Sequence, residues 1–260
     1  LYTRVLERAI GVAVQTKWKI TALKKDFGIP ESKIVYWPNG TDIERFDIPL
    51  SQSRARERLG LPPDKKIVLY TGQLFSWKGV DTLVEAAKTF PKGIDTYIVG
   101  GSPPDIERLK TLNPRPTLPG QGPGGRANPQ PLTPVFVGQR PWIEIPLWLK
   151  AADVLVLPNT GREKVSRFYT SPMKLFEYMA SGRPIVASDI PSIREIVDET
   201  MVFLAVPDDP QSFTTAIQQV LRDPTAARQC TERARHEVGR YTWDARASAI
   251  LVKLSSAAAS

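Results

Sequence analysis

Short apolar runs, many of them β-branched, alternate with longer segments whose apolar residues recur at helical spacing. The runs are only three to five residues long and apolar at nearly every position, which is typical of strands buried on both faces. Such strands alternating with helices predict an α/β fold, a doubly wound parallel sheet of Rossmann-like type. The predicted strands are 67–71, 96–99, 135–137, 154–157, 185–188 and 202–205, and the predicted helices are 80–89, 105–112, 142–151, 172–181, 191–197 and 210–221.

Upstream of this region, one further strand, helix and strand are predicted within 12–37, closed by the turn signal Pro38-Asn39-Gly40. A single βαβ unit is too small to be a domain. We therefore expect residues 1–45 to be the edge of a preceding N-terminal domain with its linker, the connection running over 41–53. Residues 46–242 form the predicted main domain, and 243–260 are expected to be a C-terminal crossing helix and tail.

The main domain is interrupted by residues 111–134, which contain seven of the 24 prolines and four glycines. This density is incompatible with a helix or a central strand, so a loop or hairpin insertion away from the ligand site is predicted. Within it, Gly120-Gln-Gly122-Pro-Gly124-Gly125 matches the glycine pattern of dinucleotide-binding loops. The match carries little weight, because that motif requires a strand before it and a helix after it.

Composition narrows the class of protein. Hydrophobic residues make up 42% of the 260 residues and charged residues 24%, close to globular averages, and no apolar run could cross a bilayer. The single cysteine, Cys230, has no partner for an internal disulfide or a zinc site, so a cytoplasmic location is expected. His236 has no second metal ligand at suitable spacing and is interpreted as a helix-surface residue, and no metal or cofactor is predicted.

The formal net charge is +8, from 35 basic and 27 acidic residues. This surplus favours anionic ligands, but a solvated basic surface explains it equally well. Binding of nucleic acid is not expected, because the chain has no basic stripe interleaved with aromatic residues.

The first candidate site segment runs from Gly72 to Gly79. Gly72 leaves the first predicted strand of the sheet and Gly79 opens the next helix, so Lys78 lies in a strand-to-helix loop beside a helix N-terminus. This position suits contact with a phosphate. From the segment alone, a solvated loop lysine is an equally good interpretation.

The second candidate segment is the helix predicted over 172–181. Ser171 is predicted to be its N-cap, Pro172 its first helical residue and Gly182 its C-terminal stop. Ser171 and Pro172 place the helix N-terminus directly after a loop that follows a predicted strand, and Gly182 marks the end of the helix.

Two charged residues in this helix require partners. Lys174 lies in the first turn, where the helix dipole disfavours a cation, so an anion is expected to dock on the free amides of Met173, Lys174 and Leu175. Glu177 stands alone in an apolar stretch. Its carboxylate could accept both hydroxyls of a ribose, or it could pair with a neighbouring basic residue.

In this order, four stretches resemble the donor-nucleotide half of GT-B glycosyltransferases, specifically the retaining family 4 type. The resemblance covers nearly the whole chain and implies the C-terminal half of a GT-B fold, with a sugar moved from a nucleotide-sugar to an acceptor with retention. The four stretches are 38–46, 72–81, 152–158 and 171–188, the last containing the sequence KLFEYMASGRPIVAS.

The resemblance also implies roles for individual residues. Gly72-Gln73 would belong to the first phosphate loop, and Lys78 would contact the diphosphate of a donor such as a UDP-, GDP- or ADP-sugar. Glu177 would hold the ribose, the amides of residues 173–175 the phosphates, and the loop Gly138-Gln139-Arg140 the base. Lys78 and the helix after Ser171 would stabilise the leaving diphosphate electrostatically, without a metal.

Two positions depart from that pattern. Gln73 stands where the family often has an arginine, and Tyr169 lies near the place of the first of two paired glutamates. Glu163 in the same loop is the candidate to replace that glutamate at the donor sugar. These departures favour an alternative, a non-catalytic nucleotide-binding or partner-binding module of the same fold, whereas Lys78 and Glu177 favour a transferase.

The resemblance places the acceptor in the N-terminal domain. This chain alone is therefore expected to bind the donor and to transfer nothing. The full-length protein could also associate peripherally with the inner face of a membrane.

Overall fold

The computed structural model describes residues 2–112 and 134–258. The strands are β1 (Val12–Val14), β2 (Ile34–Tyr36), β3 (Lys66–Thr71), β4 (Ile94–Val99), β5 (Val135–Gly138), β6 (Val154–Leu157), β7 (Ile185–Ser188) and β8 (Phe203–Ala205). The helices are α1 (Tyr2–Arg8), α2 (Lys17–Phe27), α3 (Ile43–Phe46), α4 (Gln52–Leu59), α5 (Val80–Ala87), α6 (Pro103–Leu112), α7 (Ile145–Ala151), α8 (Met173–Ser181), α9 (Pro191–Arg194), α10 (Pro210–Arg222), α11 (Pro224–Val238) and α12 (Trp243–Ala258).

Six strands form one parallel sheet in the order β5-β4-β3-β6-β7-β8. The chain enters at β3, moves outward through β4 and β5, returns to β6 beside β3 and moves outward in the other direction. The strand order therefore reverses between β3 and β6. A reversal of this kind opens a crevice at the carboxyl ends of the two strands, where open α/β sheets bind ligands.

Helices cover both faces of this sheet. Successive side chains of a strand point to opposite faces, and in β3 Ile67 and Leu69 join one hydrophobic cluster while Val68 and Tyr70 join another. Residues of α7 and α8 complete the first cluster, and residues of α5 and α10 the second. Burial on both faces explains why these runs are apolar throughout, and the predicted doubly wound parallel sheet is confirmed.

The upstream βαβ unit forms a separate two-stranded parallel sheet of β1 and β2. Helix α12 lies against β2, and its Arg246 donates hydrogen bonds of 2.7 Å to the carbonyl oxygens of Trp37 and Pro38. An isolated bridge between Thr41 and Thr242 joins the same two regions. The last helix of the main region is thereby attached to the first βαβ unit. None of the helices in the described residues is long and apolar enough to cross a membrane.

The connection predicted over 41–53 contains two helical segments, α3 and the start of α4. Helix α4 escaped prediction since its sequence, QSRARERL, is mostly charged and buries only Ala55 and Arg56. Local caps form both helices: the side chains of Asp42 and Ser51 accept the amides of Arg45 and Arg54, respectively.

The insertion predicted over 111–134 shares its first two residues with the helix predicted over 105–112, and the structure assigns both residues to the helix. Thr111 and Leu112 are the last residues of α6, which begins at Pro103 because proline is tolerated in the first turn of a helix. Residues 113–133, including the glycine pattern 120–125, lie outside the described residues. His236 is exposed on α11, as predicted.

A buried ion pair fastens α4 beneath the amino ends of β3 and β6. Arg56 donates to a carboxylate oxygen of Asp153 at 2.6 Å, and their side chains are 9% and 13% exposed. The same oxygen accepts the amide of Ile67 at 2.6 Å, and the guanidinium also donates to the carbonyls of Ala151 and Lys65. One arginine therefore ties a helix to the starts of two central strands.

We expect Arg56→Met to lower the free energy of unfolding by about 3 kcal/mol, because it leaves the Asp153 carboxylate buried without its main partner. Urea denaturation measures the change. Arg54→Met is the matched control, since Arg54 pairs with Glu57 at an exposed surface and its loss should cost less than about 0.5 kcal/mol. Equal losses in the two variants would contradict the structural role of Arg56.

Candidate functional site

The crevice between β3 and β6 is shaped by a close approach of two backbone segments. The loop after β3 touches the loop after β6 at Gly79, where an added Cβ would lie 2.1 Å from the carbonyl oxygen of Pro158. Gly79 also has a φ of 63°, which favours glycine. The contact therefore requires glycine, and it places Lys78, the preceding residue, at the crevice as predicted.

Lys78 ends a short 3₁₀ turn (Ser76–Lys78) and lies over the ring of Trp77, with its Nζ 4.0 Å from the ring centroid. Burial lowers the pKa of the Lys78 ammonium to about 8. The positive charge of Lys174 adds to this lowering of the pKa, and the negative charge of Glu177 opposes it. The structure thus brings together the three charged residues that the sequence singled out in two separate segments.

Lys174 and Glu177 form an ion pair one turn apart on α8, with 2.7 Å between Nζ and Oε2. The Glu177 side chain is only 7% exposed. Lys174 also lies against the loop after β3, because a Cβ on Gly72 would be 3.6 Å from its Cε. Pairing of Glu177 with a neighbouring basic residue, left open by the sequence, is therefore observed, and contact with a ribose stays a prediction.

The start of α8 differs from the prediction. Pro172, not Ser171, is the N-cap, and no side chain caps this helix. The Ser171 hydroxyl is taken by Asn39, whose amide donates to it at 3.0 Å while its side-chain Nδ2 donates to the Ser171 carbonyl at 2.7 Å. No local pattern could reveal this capture, because Asn39 is 132 residues away.

The three predicted phosphate-binding amides are not equivalent. The Leu175 amide donates to the carbonyl of Pro172 at 3.0 Å, so its predicted availability to an anion is wrong. Helix geometry leaves the amides of Met173 and Lys174 without acceptors inside the helix. The partial positive charge of the α8 N-terminus therefore rests on these two groups.

Glu163 is positioned by the loop that carries Lys78. Ser76 donates a hydrogen bond of 2.9 Å to its Oε1. One residue, Lys164, separates Glu163 from the π-helical stretch Val165–Tyr169, and Tyr169 is the last residue of that stretch. The candidate replacement for the family's first glutamate thus borders the crevice.

Asp208 organises the loop after β6 and was missed by the sequence analysis. Its carboxylate accepts the Thr160 hydroxyl at 2.5 Å and the Gly161 amide at 2.9 Å, and its own φ is 62°. A non-glycine residue rarely adopts this conformation. The only sequence signal is a turn composition around Asp208, which does not indicate a partner 47 residues away.

The remaining predicted residues lie apart from the lysine pair. The Gln73 side chain is exposed, and its carbonyl accepts the Tyr70 hydroxyl at 2.7 Å. Gln139 and Arg140 are exposed after the edge strand β5, and no described contact joins them to Lys78 or to α8. The Gly100 amide donates to the carbonyl of Gly138 at 2.8 Å, which joins the loop after β4 to the end of β5.

Comparison with known proteins identifies relatives with this arrangement of elements. Residues 65–223 match the family model described as glycosyl transferases group 1. The D-inositol 3-phosphate glycosyltransferase of Xylanimonas cellulosilytica is 25% identical over 257 residues, which cover 95% of this chain and 57% of that protein. The chain thus spans little more than half the length of the curated relatives it matches.

Solved structures share the fold. Sucrose-phosphate synthase from Thermosynechococcus elongatus is 26% identical with a TM-score of 0.74, and the match covers 98% of this chain and 61% of that one. HepE from Anabaena, in complex with UDP and glucose, is 22% identical with a TM-score of 0.73, covering 92% and 62%. These neighbours have the GT-B fold that the sequence predicted. Since the family model matches well over half of its residues, the chain belongs to the glycosyl transferases group 1 family.

Proposed function

We propose that this chain is the C-terminal, donor-binding part of a retaining glycosyltransferase of family 4 type, and that its crevice binds a nucleotide-sugar. The observation that carries the proposal is the convergence of Lys78, Lys174 and Glu177 where the strand order reverses. Two ammonium groups there share one buried carboxylate. An anion that enters the crevice finds uncompensated positive charge beside the N-terminus of α8.

A nucleoside diphosphate fits this distribution of charge. Its phosphates would contact Lys78, Lys174 and the first amides of α8, because each of these groups donates hydrogen bonds and carries positive charge or potential. The ion pair of Glu177 uses Oε2, so Oε1 is the oxygen that would accept a ribose hydroxyl. Glu163, held by Ser76, would face the donor sugar.

These residues would contribute to the reaction by electrostatic stabilisation. As the bond to the sugar breaks, negative charge grows on the diphosphate, and cations in a water-poor crevice stabilise it without covalent participation of the protein. The acceptor would be supplied by an N-terminal domain outside this chain. In this proposal the chain alone binds the donor and transfers nothing, and we infer a cytoplasmic location from the single cysteine of this chain.

A second candidate is a nucleotide-binding module without transfer, which Tyr169 favours because it lies near the position where the family has a glutamate. One measurement, the activity of the full-length protein, distinguishes the two candidate functions. Transfer or donor hydrolysis by the full-length protein supports the transferase, whereas tight donor binding with neither activity supports the module.

Binding of UDP, GDP and ADP, and of their sugars, tests the proposal by thermal shift and calorimetry. UDP is the first ligand to test, because the structure of the Anabaena neighbour is a complex with UDP and glucose. A ligand at one hundred times its Kd should add about 2.7 kcal/mol of stability. Absence of any stabilisation by all three diphosphates at millimolar concentration would refute the donor site.

Lys78→Ala should weaken binding of a nucleoside diphosphate by about tenfold to a hundredfold, which corresponds to a charge-assisted contact of about 1.5–3 kcal/mol. Binding of the bare nucleoside should change much less. Calorimetry with both ligands gives the comparison. Lys88→Ala is the control, because Lys88 pairs with Glu85 on the surface of the next helix and should not alter either affinity. Equal losses for both ligands would place Lys78 away from the diphosphate.

Diphosphate affinity should decline as the pH rises through about 8, because the Lys78 ammonium has a lowered pKa and only its protonated form attracts the ligand. The total decline should not exceed the loss in Lys78→Ala, because deprotonation and the substitution remove the same charge. The ligand's own last ionisation, near pH 6, does not overlap this range. Lys78→Arg stays protonated throughout and should abolish the decline. An unchanged decline in Lys78→Arg would assign the titration to another group.

Glu177→Gln tests the ribose contact. The wild-type protein should bind ribonucleotides more tightly than 2′-deoxyribonucleotides, and the variant should lose most of this preference, because an amide retains only part of the pairing. Affinities for UDP and 2′-deoxy-UDP, together with melting temperatures, separate the two roles of Glu177. A destabilised variant with an intact ribose preference would leave Glu177 as a structural partner of Lys174 alone.

A further inference from the structure

A second basic site lies at the opposite edge of the sheet, where β3, β6 and β7 begin. A groove of about 400 Å³ opens there between the C-terminal end of α8 and the two helices α10 and α11. Its volume falls in the range of small-molecule sites. Four basic side chains line it, namely Lys66, Arg183, Arg228 and Arg235.

Three of these four cations have a carboxylate nearby within the described residues. Arg228 pairs with Glu232 at 2.8 Å, and Arg235 pairs with Asp47. Lys66 lies 3.8 Å from Asp153, whose other oxygen already holds Arg56. The carboxylates around the groove are therefore engaged.

Arg183 is the exception. Among the described residues it has no carboxylate within ion-pair distance, and its Nε is buried without a hydrogen-bond acceptor. Burial lowers the pKa of this guanidinium, and Arg56 adds to the lowering while Asp153 opposes it. Arginine nevertheless stays protonated in proteins. A largely buried guanidinium without a carboxylate partner costs free energy, and a bound anion that pairs with its Nη groups would recover this cost.

The surroundings of Arg183 suit phosphate chemistry. A guanidinium binds phosphate oxygens in a bidentate manner, and the arginines at 228 and 235 line the same groove and can contact further oxygens. Apolar side chains of Val220, Leu221 and Ala227 also line the groove. A ligand with a phosphate at one end and a less polar body at the other matches this mixed lining.

We propose that this groove is a second ligand site, which binds a small phosphate-bearing molecule through Arg183. It is separate from the crevice, because Lys174 and Arg183 stand nine residues apart at the two ends of α8, about 13 Å along the helix axis. The proposal does not depend on the donor site.

Calorimetry with pyrophosphate tests this proposal. The protein used is the Lys78→Ala variant, because this substitution weakens the crevice, which would otherwise compete for pyrophosphate. We expect pyrophosphate to bind, and Arg183→Gln in the same background to reduce its affinity at least tenfold. Arg240→Gln is the control, because Arg240 is exposed, pairs with Glu237 and does not line the groove, and the affinity should not change.

A second variant and a second anion complete the test. If Arg183→Gln lowers the melting temperature, Arg183→Lys retains the charge but loses the bidentate geometry and should still reduce the affinity several-fold. Citrate, a carboxylate anion of similar charge, should bind much more weakly than pyrophosphate. Equal binding of citrate, no binding of pyrophosphate at millimolar concentration, or pyrophosphate binding unaltered by both Arg183 variants would overturn the proposal. UDP affinity of Arg183→Gln should match the wild type, so the outcome is read independently of the crevice.

Discussion

In the crevice between β3 and β6, the ammonium groups of Lys78 and Lys174 share one buried carboxylate, that of Glu177. This excess of positive charge determines which molecules the crevice can bind. Glu177 compensates Lys174 directly, at 2.7 Å. Lys78 is left with a lowered pKa because burial and the neighbouring lysine both oppose its charge. A second carboxylate at this place would complete the pairing and remove the attraction for anions. Among the described residues Lys78 has no carboxylate within ion-pair distance, and this distinguishes the crevice from a structural ion pair.

The backbone around these three charged residues is fixed by contacts that do not involve them. Gly79 meets the carbonyl of Pro158, and a Cβ on Gly100 would lie 2.1 Å from the carbonyl of Gly72. Asp208 holds the next loop through Thr160 and Gly161. Since these contacts set the separation of the loops, Lys78 and Lys174 are held near each other despite their repulsion.

Much of the fold follows from the sequence because its signals are local. Apolar runs buried on both faces predict the six parallel strands, and the connectivity of such a sheet places Lys78 and the α8 segment at one edge. Helix α4 was missed because its sequence is mostly charged, and the ion pair that attaches it to the sheet joins Arg56 to Asp153, 97 residues away. The same reason applies to the start of α8, where Asn39 takes the hydroxyl that local rules assign to capping. Local patterns thus predict elements, whereas long-range polar partners have to be observed.

The glycine contacts have a consequence for how this crevice can diversify. Glycine is required where backbones meet, at Gly79 and Gly100, whereas the side chains of Gln73, Glu163 and Tyr169 are exposed or only partly buried. Mutations can therefore exchange the charges and hydrogen-bonding groups at the strand ends while the loops keep their positions. A directed-evolution library that holds these glycines constant and varies Gln73, Glu163 and Tyr169 would explore new ligand preferences with few unfolded members.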